Sequence, residues 1–342
     1  MNDAVPKLSV VIPTIGRALL IPTLHSLIVA EGFNECEVVV AGAIGEGPVL
    51  NELRALQERH SQIRHLPVSF PVGDSSEKKN AGFHASRAAL VAFLDDDVVV
   101  MPDWITRMCE SFGDEKIGLV SGPGLVPEGV PLMTRLAGMA LASKAAGYVS
   151  ERYLRGDDRL RRIKWSRIIG CNMVYRRRVL EEIGGFDPAF WPGEEMIAAY
   201  RTQQKNHQLL FNADAAVYHH PRQSLWRFCR QIYGYGATRI RLFRGGVDVE
   251  WLTVVPALWL LSMVLLLPLA FVFVWARWLL AADLLLYLAA DAWITISKVR
   301  ETGNWRDLLI FGLIPVMHLC YGFAEWMELF SPDKDLSVHG PR

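Results

Sequence analysis

Asp95, Asp96 and Asp97 stand in succession at the end of an apolar run, Leu90 to Leu94, and three valines follow them. Adjacent carboxylates repel one another unless a cation or a positive ligand neutralises them. A run of this composition reads as a buried central strand, and open α/β sheets bind ligands at the carboxyl ends of their strands. The triplet therefore suits a hard divalent cation together with a phosphate-bearing substrate. The alternative is an acidic turn that caps the next helix, although Asp103, just before Trp104, already fits that capping job. A second acidic pair, Glu194 and Glu195, closes the loop Trp191-Pro192-Gly193 and opens a helix, where glutamates also simply suit the helix dipole. Lys78 and Lys79, by contrast, oppose the dipole of the helix they open. They point to an anionic ligand nearby or else to a solvated surface.

The elements that must position these groups alternate along the chain. Leu8–Ile12 reads as a short strand leading into the loop Pro13-Thr14-Ile15-Gly16-Arg17, and Ala18–Ala30 has helical spacing. Glu37–Ala41 and Ile63–Val68 read as strands on either side of an amphipathic helix over Val49–His60. This β-α-β-α-β order predicts an α/β, doubly wound parallel sheet of Rossmann-like type. Beyond the triplet, Ile117–Ser121, Ile168–Tyr175, Leu209–Ala213 and Ala216–Tyr218 read as further strands. An irregular insertion, Pro131–Arg167, carries a run of arginines.

Composition separates a soluble part from an apolar one. Lys plus Arg equals Asp plus Glu at 36 each, so net charge says nothing about nucleic acid. The 5 cysteines are scattered with no zinc-like spacing, which favours reduced thiols in the cytosol. No signal peptide is expected at the N-terminus. Between Arg222 and Arg244, arginines 222, 227, 230, 239, 241 and 244 interleave with Trp226, Phe228, Tyr233, Tyr235 and Phe243, and there is no acidic residue from Ala215 to Val247. Beside an apolar segment this reads as an interfacial helix rather than a nucleic-acid surface. Leu252–Trp275 is long enough to span a bilayer, and Trp278–Ser297 and Leu308–Ala324 are two further candidates. Asp283, Tyr287 and Asp291 share one face of the second candidate, with His318 or Glu325 as possible partners for the carboxylates. Flanking charge puts the arginine-rich side in the cytosol. The expected organisation is a catalytic domain over residues 1–221, a basic interfacial region over 222–250, two or three transmembrane helices over 251–330, and a tail over 331–342.

Six fragments, in order, resemble glycosyltransferase family two: IPT at 12–14, KKNAG at 78–82, FLDDD at 93–97, GCNMVYRR at 170–177, IGGFDPAFWPGEE at 183–195 and VYHHPR at 217–222. The resemblance covers about Leu8 to Gly236 and implies a GT-A nucleotide-sugar fold. The membrane tail is similar to that of bacterial enzymes extending exopolysaccharide or cell-surface glycans. By this resemblance Asp95 and Asp97 are the ends of a DxD motif, with Asp97 the main ligand of Mg²⁺ or Mn²⁺. Asp96 lies nearer the nucleotide ribose, and His219 near the metal and diphosphate. Pro13, Thr14, Arg17, Lys79 and Asn80 belong to the nucleotide-sugar site. Glu195 takes the place of the general base beside Glu194, where the family usually has Glu-Asp.

Two departures stand out. The strand that usually ends in a nucleobase-binding acidic residue here ends Val40-Ala41-Gly42-Ala43, with Glu46 the nearest substitute. The processivity motif QxxRW is replaced by Gln223-Ser224-Leu225-Trp226-Arg227.

The implied reaction is an inverting, single-displacement transfer of a sugar from a nucleotide-diphosphate sugar to a polyprenyl-linked glycan acceptor, at the inner (cytoplasmic) membrane and facing the cytosol. Other proteins of a glycan assembly pathway are possible partners. The rival readings are transfer to polyprenyl phosphate itself and a non-catalytic membrane scaffold that kept the fold.

Overall fold

The computed structural model describes residues 5–70, 75–156, 158–248 and 250–332; the expected tail lies outside the described residues from 333 onward. In chain order the elements are β1 Leu8–Pro13, α1 Leu20–Ile28, β2 Cys36–Ala41, α2 Pro48–Arg59, β3 Ile63–Leu66, α3 Ser75–Ala85, β4 Leu90–Leu94, β5 Val98–Val100, α4 Trp104–Glu110, β6 Ile117–Ser121, β7 Gly124–Leu125, α5 Leu132–Leu141, β8 Leu160–Arg162, β9 Asn172–Arg176, α6 Arg177–Glu182, α7 Glu194–Gln204, β10 Gln208–Asn212, β11 Val217–His219, α8 Leu225–Arg244, α9 Val255–Val272, α10 Val274–Thr302 and α11 Ile310–Leu329. They form two compact units. One holds residues 5–127 and 151–220, the other residues 128–150 and 221–332. The insertion expected inside the catalytic domain thus contributes its first part, with α5, to the unit of C-terminal helices.

The first unit is built on an eight-stranded sheet in the order β3-β2-β1-β4-β9-β6-β10-β8. Val10, Val11, Ile12, Val38 and Val91 to Leu94 are shut off from solvent, as continuous apolar strands covered on both faces should be. β3, β2, β1 and β4 are parallel, as are β6 and β10. The expected all-parallel sheet is corrected at β9, which runs antiparallel to both β4 and β6, and at β8, antiparallel to β10. Between β6 and β9 the chain makes a long excursion through β7, α5 and β8, and β9 then enters the sheet at the carboxyl end of β6. A small sheet, β5-β11-β7, lies past the carboxyl end of β4.

One buried carboxylate fastens the parallel half. Glu37 of β2, 3% exposed, accepts from Ser9 Oγ at 2.7 Å, from the Arg87 backbone N–H and from Arg64 at 2.9 Å. Burial alone would raise its pKa, but the Ser9 hydroxyl, the Arg87 N–H and the Arg64 guanidinium hold it below the usual carboxylate range. A lowered native pKa stabilises above the unfolded value, about 4.3, and that stability is lost as pH falls through the native pKa. Glu37→Gln should therefore cost about 1.5–3 kcal/mol at pH 7. Thermal unfolding should show the gap to wild type closing as the medium turns acid.

In the second unit, Val255–Val272, Val274–Thr302 and Trp305–Leu329 are long and apolar enough to cross a membrane. The break between α9 and α10 falls at Phe273, which is extended, rather than at Ala276-Arg277. Arg277 instead joins the first turn of α10, and its Nε donates to Ala270 O at 2.7 Å, satisfying a carbonyl in the last turn of α9. The interior polar groups also pair differently from expectation. Asp283 accepts from Ser262 Oγ at 2.8 Å, while His318 pairs with the Tyr287 hydroxyl at 2.8 Å and with Ala145 O at 2.9 Å. A neutral imidazole protonated on Nε2 satisfies both of its bonds.

Gly322 of α11 meets the α9 backbone so closely that a β-carbon would stand 2.6 Å from Pro256 O, the small-residue packing usual between membrane helices. On α8, Arg241 binds Glu328 of α11 at 3.0 and 3.3 Å, and Arg244 reaches Glu328 O at 3.0 Å. The distal arginines of the basic helix are thus engaged within the unit, whereas Arg227, Arg230 and Trp226 at its start remain exposed.

Candidate active site

The site is assembled from segments at the carboxyl ends of β1 and β4, the start of β9 and the start of α7. The loop after β1 is held from several sides. Thr14 N donates to Ala41 O at 2.9 Å, and Gly16 N to Thr14 Oγ1 at 2.9 Å. Thr14 Oγ1 in turn donates to Asp96 at 2.6 Å, and Lys78 Nζ donates to Thr14 O at 3.0 Å. Asp96 is 3% exposed, and its second oxygen lies 3.3 Å from Arg17. Burial pushes its pKa up in spite of Arg17 and the Thr14 hydroxyl. The middle aspartate thus faces the loop and Arg17.

Its neighbours face elsewhere. Asp97 accepts from Arg17 at 2.7 Å, and its other oxygen is 3.4 Å from His219 Nε2. His219 arrives there because β11 pairs antiparallel with β5, placing it opposite Val98. Asp95, Cys171 and His219 each present a ligand atom within 4.8 Å of the others. Carboxylate and imidazole donors around a carboxylate-rich strand end fit a divalent cation such as Mn²⁺.

The paired glutamates form a second centre. Glu194, 1% exposed, is bound by the Ser75 hydroxyl, by Lys79 Nζ at 3.0 Å and by the Gly193 N–H at 3.0 Å. Lys79, 2% exposed, also binds Glu195 and lies 5.4 Å from the centre of the Phe186 ring. Burial would push Glu194 up, but the Lys79 charge and the Ser75 hydroxyl hold it below the usual range. Glu195 behaves oppositely. Burial and the Glu194 charge push it up to about 7 against the pull of Lys79. Its side chain keeps 20% exposure, so of the pair it is the one open to a reactant. One carboxylate is fixed and ionised while the other titrates near neutrality, an arrangement suited to proton transfer.

A three-residue stretch, Gly170-Cys171-Asn172, joins the two centres. A β-carbon on Gly170 would stand 2.5 Å from Glu195 Oε1, so a larger residue would displace the carboxylate from this position. Cys171 faces Asp95 and His219. Asn172 fastens the stretch by accepting from Trp104 Nε1 at 2.9 Å and donating to Ala215 O at 2.8 Å.

Of the residues expected at the nucleotide, Pro13, Thr14, Arg17, Asp95 and Asp96 share this region. Lys79 and Asn80 are turned to the glutamate loop; Asn80 exchanges two hydrogen bonds with the Phe186 backbone, at 2.7 and 2.9 Å. The two lysines do not open α3, which begins at Ser75, and both are buried. Asp103 sits at the start of α4 but gives its side chain to Arg107 rather than to a backbone cap. Glu46 is exposed and paired with Arg54 at 3.0 Å. Ser75, Gly170 and Cys171 are additions that sequence reading did not single out. Cys171 becomes legible only with the register, since Leu94 opposite Asn172 sets Asp95 beside it.

This mixed sheet, with an acidic strand end and helices long and apolar enough to span a membrane, is the fold of the GT-A glycosyltransferases. The chain belongs to the family described as glycosyltransferase like family 2, whose profile matches residues 6–233. The solved mannosyltransferase PcManGT from Pyrobaculum calidifontis, in complex with GDP-Man and Mn²⁺, shares the fold at a TM-score of 0.59 and 16% identity, covering 96% of this chain and 88% of that one. The chain is also 26% identical over 235 residues to the O-antigen biosynthesis protein RfbC of Myxococcus xanthus, covering 64% of this chain and 18% of that protein. It is 23% identical over 243 residues to the uncharacterized protein y4gI of Sinorhizobium fredii (strain NBRC 101917 / NGR234), covering 65% and 25% respectively. The chain therefore spans a quarter or less of the length of these curated relatives.

Proposed function

We propose that the chain is a membrane-attached, metal-dependent inverting glycosyltransferase that moves a sugar from a nucleotide-diphosphate sugar to a polyprenyl-linked glycan acceptor on the cytosolic face of the inner membrane. The observation that carries this reading is the division of labour between the glutamates: Glu194 locked by Ser75, Lys79 and Gly193, Glu195 raised and partly open. The fold shared with a protein that holds GDP-Man and Mn²⁺, and the likeness to an O-antigen biosynthesis protein, support the donor class and the glycan product. The three apolar helices support membrane attachment.

In this reading Asp95, Asp97 and His219 would hold the cation, which when bound would supply positive charge to the leaving diphosphate. Arg17 ties the loop of Pro13 and Thr14 to Asp96 and Asp97 and so fixes the wall of the nucleotide site. Glu195 takes the proton of the acceptor hydroxyl as that oxygen attacks the anomeric carbon, while Lys79 and Glu194 keep its carboxylate aimed.

The test is transfer by the detergent-purified full chain from a panel of nucleotide-diphosphate sugars to lipid-linked acceptors. Activity should vanish with a chelator, return with Mn²⁺ or Mg²⁺, be abolished by Asp97→Asn and fall by about 10²–10⁴-fold in Glu195→Gln. Metal-dependent transfer that survives both substitutions sinks the proposal. A product cleaved by mild acid would move the acceptor to polyprenyl phosphate.

A further inference from the structure

We propose that Cys171 is a sulfur donor to the cation at this site, completing an Asp95, Cys171 and His219 face that favours thiophilic divalent ions over Mg²⁺. The inference rests on the metal site proposed above and adds a residue and a selectivity to it.

Geometry carries it. Among the described residues, these three form the one group of His, Cys, Asp or Glu whose ligand atoms gather within 4.8 Å. Donors bound tetrahedrally to one cation at roughly 2.0–2.3 Å stand about 3.3–3.8 Å apart, so three ligand atoms no more than 4.8 Å from one another close on an ion with side-chain shifts of less than about 1 Å each. They come from three separate strand ends. Asp95 follows β4, Cys171 precedes β9 opposite it, and His219 ends β11. The convergence is therefore tertiary and not an accident of local sequence.

Gly124 of β7 borders the same place: a β-carbon there would crowd Ile169 Cδ1 at 3.0 Å and stand in ordinary contact with Cys171 Sγ at 3.4 Å and His219 Cβ at 3.7 Å. A buried cysteine normally behaves as a small apolar residue among apolar neighbours. Here a carboxylate and an imidazole stand within 4.8 Å of the sulfur, which an apolar filler does not require.

A sulfur donor shifts ion preference in a definite direction. Thiolate favours softer ions, whereas carboxylate and water suit Mg²⁺. The sulfur binds as thiolate, and its proton passes to solvent on metal entry. Because Cys171 follows Gly170, which lies against Glu195, the donor also ties the cation to the stretch that borders the base.

The experiment titrates Cd²⁺ into the detergent-purified full chain and follows the ultraviolet thiolate-to-metal charge-transfer band, with Mn²⁺ binding read in parallel by electron paramagnetic resonance. The wild type should develop the band to one equivalent, and Mn²⁺ in large excess should displace it. Cys171→Ala and Cys171→Ser should both lose this Mn²⁺-displaceable band. In both, Cd²⁺ affinity should fall by more than Mn²⁺ affinity. The serine variant serves if the alanine variant does not fold. An undiminished, Mn²⁺-displaceable band in either variant overturns the sulfur donor, as does a wild type that binds Mn²⁺ but gives no band. A wild type that binds neither ion, even with a nucleoside diphosphate present, brings down the metal site itself, a distinguishable failure. Cadmium absorption from the other four cysteines would persist in the variants and resist Mn²⁺, which separates it from the site.

Discussion

Glu195→Gln should lower turnover by about 10²–10⁴-fold, the usual contribution of a positioned proton-transfer group, while leaving nucleotide-sugar affinity close to wild type. Glutamine keeps the shape beside Gly170 and can still meet Lys79, so the fold should tolerate it. What it loses is the capacity to accept a proton. Burial and the Glu194 charge push Glu195 up to about 7, and a base works only when ionised. Activity of the wild type should therefore rise with pH through the neighbourhood of 7 and level off above it. The rising limb should be missing from the residual activity of the variant. Glu194→Gln should behave otherwise. Removing the Glu194 charge relieves the repulsion on Glu195, so the limb should move to lower pH. Initial rates from pH 5.5 to 9 at saturating donor, with donor binding measured separately, distinguish these outcomes. If Glu195→Gln retains near wild-type turnover with an unchanged limb, the base lies elsewhere.

Much of this architecture is written locally in the chain. Parallel strands covered on both faces need uninterrupted apolar runs, so Val38 to Ala41 and Leu90 to Leu94 announce themselves, and the acidic triplet is conspicuous at the end of one such run. Direction is not written that way. The apolar run of β9 reads alike for a parallel and an antiparallel strand, and only its pairing with β4 and β6 shows which it is. The roles inside the triplet are likewise tertiary: Asp96 turns to Thr14 while Asp95 meets Cys171 and His219, which arrive from strands far along the sequence.

The burial of Lys78 and Lys79 is not legible in their own segment, because lysine is almost never fully buried unless paired, and the pairing partners lie on α7 and on the loop after β1. The α9–α10 break at Phe273 carries no proline or glycine to mark it. The arginines of α8 read alike in composition, yet Arg241 and Arg244 meet Glu328 while Arg227 and Arg230 face outward. Only the partner helix distinguishes them.

Lys79→Met is the substitution with the largest expected effect on stability. The ammonium, 2% exposed, is the cation between Glu194 and Glu195, and methionine matches its stem while removing the charge. Breaking a buried ion pair from one side costs roughly 3–5 kcal/mol, because the partner is left charged and desolvated. Glu194 keeps Ser75 and the Gly193 N–H, so the variant can fold by taking up a proton on the pair.

That uptake fixes the pH dependence. A carboxyl whose native pKa lies above its unfolded value destabilises the fold as pH rises between the two values, since the native state then binds more protons. Of the two glutamates this applies in the wild type to Glu195 alone. Without Lys79 it applies to both glutamates and extends to higher pH. The variant should approach wild-type stability near pH 5 and fall away steeply above pH 7. The rising limb of its residual activity should move to higher pH, because Glu195 has lost the charge that pulled it down. Thermal unfolding across pH 5 to 9 checks the first expectation, and a pH–rate profile checks the second. A variant as stable as wild type at pH 8 would mean that Lys79 does not hold the two glutamates together, and the assignment of Glu195 as the poised member of the pair would lose its physical basis.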